Sequence, residues 1–186
     1  MWRRAATLYL ELNKMRFEYL KILLVDDNQN MVNLLTEILR AIGVREIYEA
    51  SDGLAAIEEL RRRKIDLVIT DLTMQPLDGI DFVNLIRNSP DSPNPILPIV
   101  MITGHSTQAK VKAARDAGVN EFLAKPVTAK SVIHRLTQVI DQARPYIRCH
   151  TYFGPDRRRR DDPNYTGPKR RETDMPIQIL ADEDMY

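Results

Sequence analysis

A chain of 186 residues has room for one domain of ordinary size and a short appendage. Its 44% hydrophobic content suits a globular core, and a formal net charge of +1 gives no overall bias toward nucleic acid or anionic membrane. No apolar run reaches membrane-span length, and the single cysteine, Cys149, excludes an internal disulfide and fits a reducing, cytoplasmic setting.

Residues 1–19 read as an N-terminal extension. Leu8, Leu12, Met15 and Tyr19 recur at helical spacing, which predicts a short amphipathic helix. Glu11, Lys14 and Arg16 interrupt what a secretion signal would need as its apolar core, and Met15 is an alternative start. From Leu20 to Val25 a continuous apolar run predicts a buried strand that ends on Asp26, Asp27 and Asn28. Met31, Leu34, Leu35, Ile38, Leu39 and Ile42 then step by three and four, and Gly43 ends that helix. Glu46–Ala50 reads as a second strand, and Ser51-Asp52-Gly53 turns into a second helix closed by the basic residues 61–64. Those charges suit a helix C-terminus, so they read as a solvated end.

The third strand runs from Asp66 to Asp71 and delivers a carboxylate to a turn, Gln75-Pro76-Leu77-Asp78-Gly79. Ile80, Phe82, Val83, Leu85 and Ile86 predict a third helix, and a proline-rich loop leads to a fourth strand over 96–102, ending on Thr103-Gly104-His105. A fourth helix stops at Gly118. A short fifth strand, Glu121–Ala124, precedes Lys125-Pro126, and a last helix ends before Pro145. Five strands alternating with five helices over 20–143 call for a doubly wound α/β domain with a five-stranded parallel sheet.

In a parallel sheet the strand C-termini share one edge. That edge would collect Asp26, Asp27, Asp71, Thr103 and Lys125. Three crowded carboxylates repel one another unless a cation joins them, and oxygen ligands of this kind suit Mg²⁺. A carboxylate can be the nucleophile toward phosphorus, with a lysine and a hydroxyl on the phosphoryl oxygens, so each residue type has a task in one reaction.

Asp26-Asp27, Asp71, Thr103-Gly104, Phe122 and Lys125-Pro126 resemble, in order and spacing, the receiver domain of bacterial two-component response regulators of the single-domain, chemotaxis type. The resemblance implies a flavodoxin-like fold with strand order 2-1-3-4-5. It implies that Asp71 accepts phosphate from a sensor histidine kinase or phosphotransfer protein, as a signalling switch and not as an enzyme. It further implies Mg²⁺ held by Asp27 and Asp71, by Asp26 through water, and by the backbone carbonyl of Thr73. Lys125 would contact Asp71 or its phosphate, while Thr103 and Phe122 would move together as the switch. A cis peptide before Pro126 is implied as well. Output would go to an unknown downstream protein, and a homodimer stays open.

After residue 143 the composition shifts. The last 42 residues hold five prolines, only 13 apolar side chains, and 8 basic against 8 acidic residues. An irregular, extended tail without its own core is expected over 144–186. It contains a repeat, Tyr-x-Gly-Pro-x-Arg-Arg, at residues 152–158 and again at 165–171. This repeat is expected to dock a partner or fold back on the domain. Arg157–Arg160 raises nucleic acid as an alternative output, but Asp156, Asp161 and Asp162 flank the run and oppose it. A phosphatase with an aspartyl-phosphate intermediate would need a second carboxylate two residues past the nucleophile, where Thr73 stands.

Overall fold

The computed structural model describes residues 17–104, 107–149 and 152–157, and the backbone of 175–177. Five parallel strands, β1 (Lys21–Val25), β2 (Glu46–Ala50), β3 (Leu67–Asp71), β4 (Ile99–Thr103) and β5 (Glu121–Ala124), form one sheet in the order β2-β1-β3-β4-β5. The expected doubly wound, flavodoxin-like fold is observed. Five helices connect the strands or follow them: α1 (Gln29–Ala41), α2 (Gly53–Arg62), α3 (Gly79–Asn88), α4 (Gln108–Ala117) and α5 (Ala129–Asp141).

The helices begin where side chains satisfy the first free amides. Asn28 accepts from Asn30 N–H, Asp52 from Leu54 and Ala55, and Asp78 from Asp81, while Thr128 and Ser131 form a capping box on α5. Gly118 closes α4 in the left-handed region, at φ 103°.

Strand alternation divides the core in two. Leu23, Val25, Val68, Ile99 and Met101 face α2, α3 and α4. Ile22, Leu24, Ile69, Val100, Ile102 and Leu123 face α1 and α5. Each such side chain, fully buried, contributes about 1.5–3 kcal/mol. The central strands are therefore held from both sides, which explains runs of apolar residues without polar alternation.

Two expectations about the ends are corrected or fall outside the description. Tyr19, expected on the apolar stripe of an N-terminal helix, is 80% exposed, whereas Phe17 is fully buried with α1 and α5. Leu8, Leu12 and Met15 lie outside the described residues. The tail is also more regular than expected. β6 (Tyr146–Cys149), β7 (Tyr152–Pro155) and β8 (Met175–Ile177) form an antiparallel sheet in the order β7-β6-β8. Tyr146, Ile147, Tyr152 and Phe153 are buried, so the described part of the tail around β6 and β7 shares a core with the domain.

The attachment centres on Arg87 at the end of α3, which is 1% exposed. Its guanidinium donates to the carbonyls of Gly118 (3.1 Å) and Pro95 (2.7 Å) and to Asn120 Oδ1 (3.0 Å), beneath the Tyr146 ring. Arg144 donates to the carbonyls of Asn120 and Asp156. These contacts lie around the start of β5, so the tail seats at the N-terminal edge of the sheet.

Candidate functional site

The opposite edge carries the acidic residues. β1 ends in Asp26 and β3 in Asp71, both buried, while Asp27 is exposed. Lys125, following β5, places Nζ 2.7 Å from Asp71 Oδ1. The other carboxylate oxygen, Oδ2, accepts the Thr73 amide at 2.9 Å. Each oxygen of Asp71 thus has a donor, one charged and one neutral. Thr103 is buried at the end of β4, and its carbonyl accepts from Lys125 N–H at 2.8 Å, which ties the lysine's backbone to the neighbouring strand.

Asp26 is the less satisfied carboxylate. Oδ1 accepts from Asn28 N–H at 2.8 Å, but Oδ2 is buried without a hydrogen-bond partner. Burial pushes the Asp26 carboxyl above its ordinary value, and the Asn28 amide opposes the shift. The Asp71 carboxylate raises it further, against the pull of Lys125. A buried oxygen lacking a partner beside a second carboxylate and only one lysine suits a hard cation. Among the described residues no group of three acidic, imidazole or thiolate side chains is gathered into a cage. Mg²⁺ accepts that arrangement, because it keeps several waters and takes one or two carboxylates.

Gly79 and Phe122 complete the surroundings. A Cβ at Gly79 would sit 2.2 Å from the Asp71 carbonyl oxygen, so the turn after β3 closes directly on this residue. The only sequence signal for it is the Asp78-Gly79 pair. Phe122 is half-buried and packs against the α2–α3–α4 side of the core. The Lys125–Pro126 peptide is cis, as is Gln75–Pro76. His105 and the Arg158–Arg160 run lie outside the described residues.

The sheet edge therefore brings together Asp26, Asp71, Thr103 and Lys125, with Asp27 and Thr73 exposed at the rim. Arg87 and Asn120, which sequence reasoning did not single out, belong to the far edge and hold the tail.

Comparison with known proteins agrees with this fold. A family model described as the response regulator receiver domain matches residues 22–137. The chemotaxis protein CheY-3 of Vibrio cholerae is 34% identical over 123 residues, covering 66% of this chain and 93% of that protein. The receiver domain of a sensor histidine kinase from Pseudomonas aeruginosa, solved with a magnesium ion coordinated in the active-site cleft, is 28% identical. It has a TM-score of 0.59 and covers 66% of this chain and 98% of its own. A receiver domain of Saccharomyces cerevisiae, crystallised with the histidine phosphotransfer protein upstream of it, is 25% identical with a TM-score of 0.57, covering 66% of this chain and 89% of that one. No described helix is long and apolar enough to cross a membrane. With the fold and the matched span in agreement, the chain belongs to the response regulator receiver domain family.

Proposed function

We propose that Asp71 is the phosphoacceptor of a cytoplasmic signalling switch. The observation that carries this reading is the Asp71 carboxylate itself. It lies at the rim of the sheet, held by Lys125 at 2.7 Å and the Thr73 amide at 2.9 Å, beside a buried Asp26 oxygen that lacks a partner. A carboxylate oxygen of Asp71 attacks the phosphorus of a phosphohistidine on a histidine kinase or phosphotransfer protein. The new bond is P–O, the P–N bond breaks, and the imidazole leaves with the electron pair and takes up a proton. Lys125 then faces the phosphoryl oxygens, and the Thr103 hydroxyl supplies a hydrogen bond from the adjacent strand end.

Asp26, Asp27, Asp71 and the Thr73 carbonyl are the groups that would hold Mg²⁺. When bound, the ion offsets negative charge on the transferring phosphoryl group. Loss of the phosphate to water is self-catalysed at the same residues, so the protein turns over no separate substrate. The magnesium-bound relative and the relative crystallised with its phosphotransfer partner support both assignments by likeness. Phosphorylation redistributes charge beneath Thr103 and Phe122, and the outer face of α4, β5 and α5 passes that change to a downstream protein. Residues 20–143 form the receiver unit, and 144–186 the appended tail.

The test is phosphate incorporation from acetyl phosphate with Mg²⁺, comparing wild type with Asp71→Asn. Mg²⁺-dependent labelling that drops to background in D71N is the expected result. Labelling retained in D71N moves the nucleophile elsewhere, and absence of labelling in both chains refutes the phosphoacceptor reading.

A further inference from the structure

The first copy of the tail repeat is seated on the domain, and each described residue of its pattern has a task there. The Tyr152 hydroxyl donates to the Pro155 carbonyl at 2.7 Å, closing the turn. The Arg157 guanidinium lies 3.9 Å from the centre of the Tyr152 ring, and its Nη1 meets the Asp116 carboxylate at 3.1 Å. Gly154 passes backbone to backbone: a Cβ there would come within 2.8 Å of Gly118 Cα. Tyr, Gly, Pro and Arg are the residues that recur at 165, 167, 168 and 170.

The variable positions are used differently. Asp156 N–H donates to the Pro145 carbonyl and its own carbonyl accepts from Arg144, contacts made by the backbone at this position. The register of β7 on β6 is likewise a backbone pairing. Phe153 is the exception. Its buried ring lies 5.9 Å from that of Tyr146 and under the Arg148 guanidinium, and the second copy has Thr166 in its place.

We propose that the corner made by Asp116 and Gly118 is a receptor for the Tyr-x-Gly-Pro-x-Arg motif, and that the second copy, residues 165–171, is a competing ligand for it. The first copy prevails because of Phe153. Its grip through Arg157 is an ion pair to the Asp116 carboxylate at 3.1 Å and a long hydrogen bond to the Asp116 carbonyl at 3.5 Å, while Arg157 Nε is buried without a partner. The longer tether to the second copy adds little, since the entropy of loop closure grows slowly with loop length. Both ligands belong to the same chain, and the site is independent of the chemistry at Asp71.

The test is a cycle of full-length chains read by the NMR shifts of the Gly118 and Asn120 amides. The chains are wild type, Tyr152→Ala/Arg157→Ala, Tyr165→Ala/Arg170→Ala, and all four substitutions together. If the second copy is a ligand, Y152A/R157A keeps the receptor mostly occupied and only the fourfold variant empties it. A peptide of residues 163–172 then restores the shifts of the fourfold variant, and the same peptide carrying Arg170→Ala binds at least tenfold more weakly. Should the double substitution disturb the fold, R157A compared with R157A/R170A carries the same comparison. The proposal is overturned if opening the first copy alone empties the receptor as fully as opening both, or if the two peptides bind alike.

Discussion

Asp26 carries a charge that its surroundings disfavour. Burial raises its pKa first, and the neighbouring Asp71 and Asp27 carboxylates add to the shift. For a carboxyl whose folded pKa lies above the unfolded one, the favourable contribution exists at low pH and is lost as pH rises through the folded value. Asp26→Asn is therefore expected to stabilise the chain at neutral pH, because it removes the buried charge and keeps the shape of the side chain. The gain should vanish below the ordinary value of 3.8, where the wild-type group is protonated folded or unfolded. Thermal melts of both chains across that range check the sign. A constant difference at all pH values would mean that packing, not charge, is responsible. Mg²⁺ should raise the melting temperature of wild type and lose most of that effect in D26N. Asp26, Asp71, Thr103 and Lys125 were legible because each sits at or beside the end of an apolar strand, and the parallel topology converts that position into proximity. Arg87 was not. In sequence it is an ordinary base in a last helical turn, and its partners are carbonyls that only the tertiary fold supplies.

At the level of elements, α3 and the β6–β7 hairpin hold each other through that arginine. Arg87 has no carboxylate among its described partners, and its charge is met by two carbonyls, one amide oxygen and the Tyr146 ring. Removing it takes the side-chain donor from the Gly118 and Pro95 carbonyls, at about 1–3 kcal/mol for each. Arg87→Ala is expected to lower unfolding stability by roughly 3 kcal/mol, measured by denaturant titration, because Asn120 retains the Tyr146 hydroxyl as a partner. The hairpin was hard to foresee for a related reason. The tail's apolar count is low across 42 residues, but four of its larger apolar side chains fall within the eight residues 146–153 and find cover on the domain. Average composition described the tail correctly and its best-packed part poorly. Strand and helix count, by contrast, follow from local periodicity and short connections, whereas the strand order came from the resemblance to receiver domains.

Taken whole, the molecule has its acidic residues at one edge of the sheet and the described part of the tail at the other. Since Tyr146 and Phe153 are buried against the domain, hairpin and receiver should unfold together. Full-length protein is expected to melt in a single transition, lowered in Tyr146→Ala by about 3 kcal/mol, or ~6–12 °C for a chain of this size. A separate early transition for the tail, seen by amide exchange, would contradict a shared core.

The approach of Gly154 to Gly118 bears on how such a protein can be dissected genetically. A Cβ at Gly154 would stand 2.6 Å from the Tyr152 hydroxyl as well as 2.8 Å from the Gly118 backbone. One methyl group, in Gly154→Ala, is expected to push the first copy of the repeat off Gly118 while leaving every residue of the acidic edge unchanged. A strain carrying that allele would separate the two halves of the protein's behaviour, keeping acetyl phosphate labelling at the wild-type level and losing whatever phenotype belongs to the tail alone.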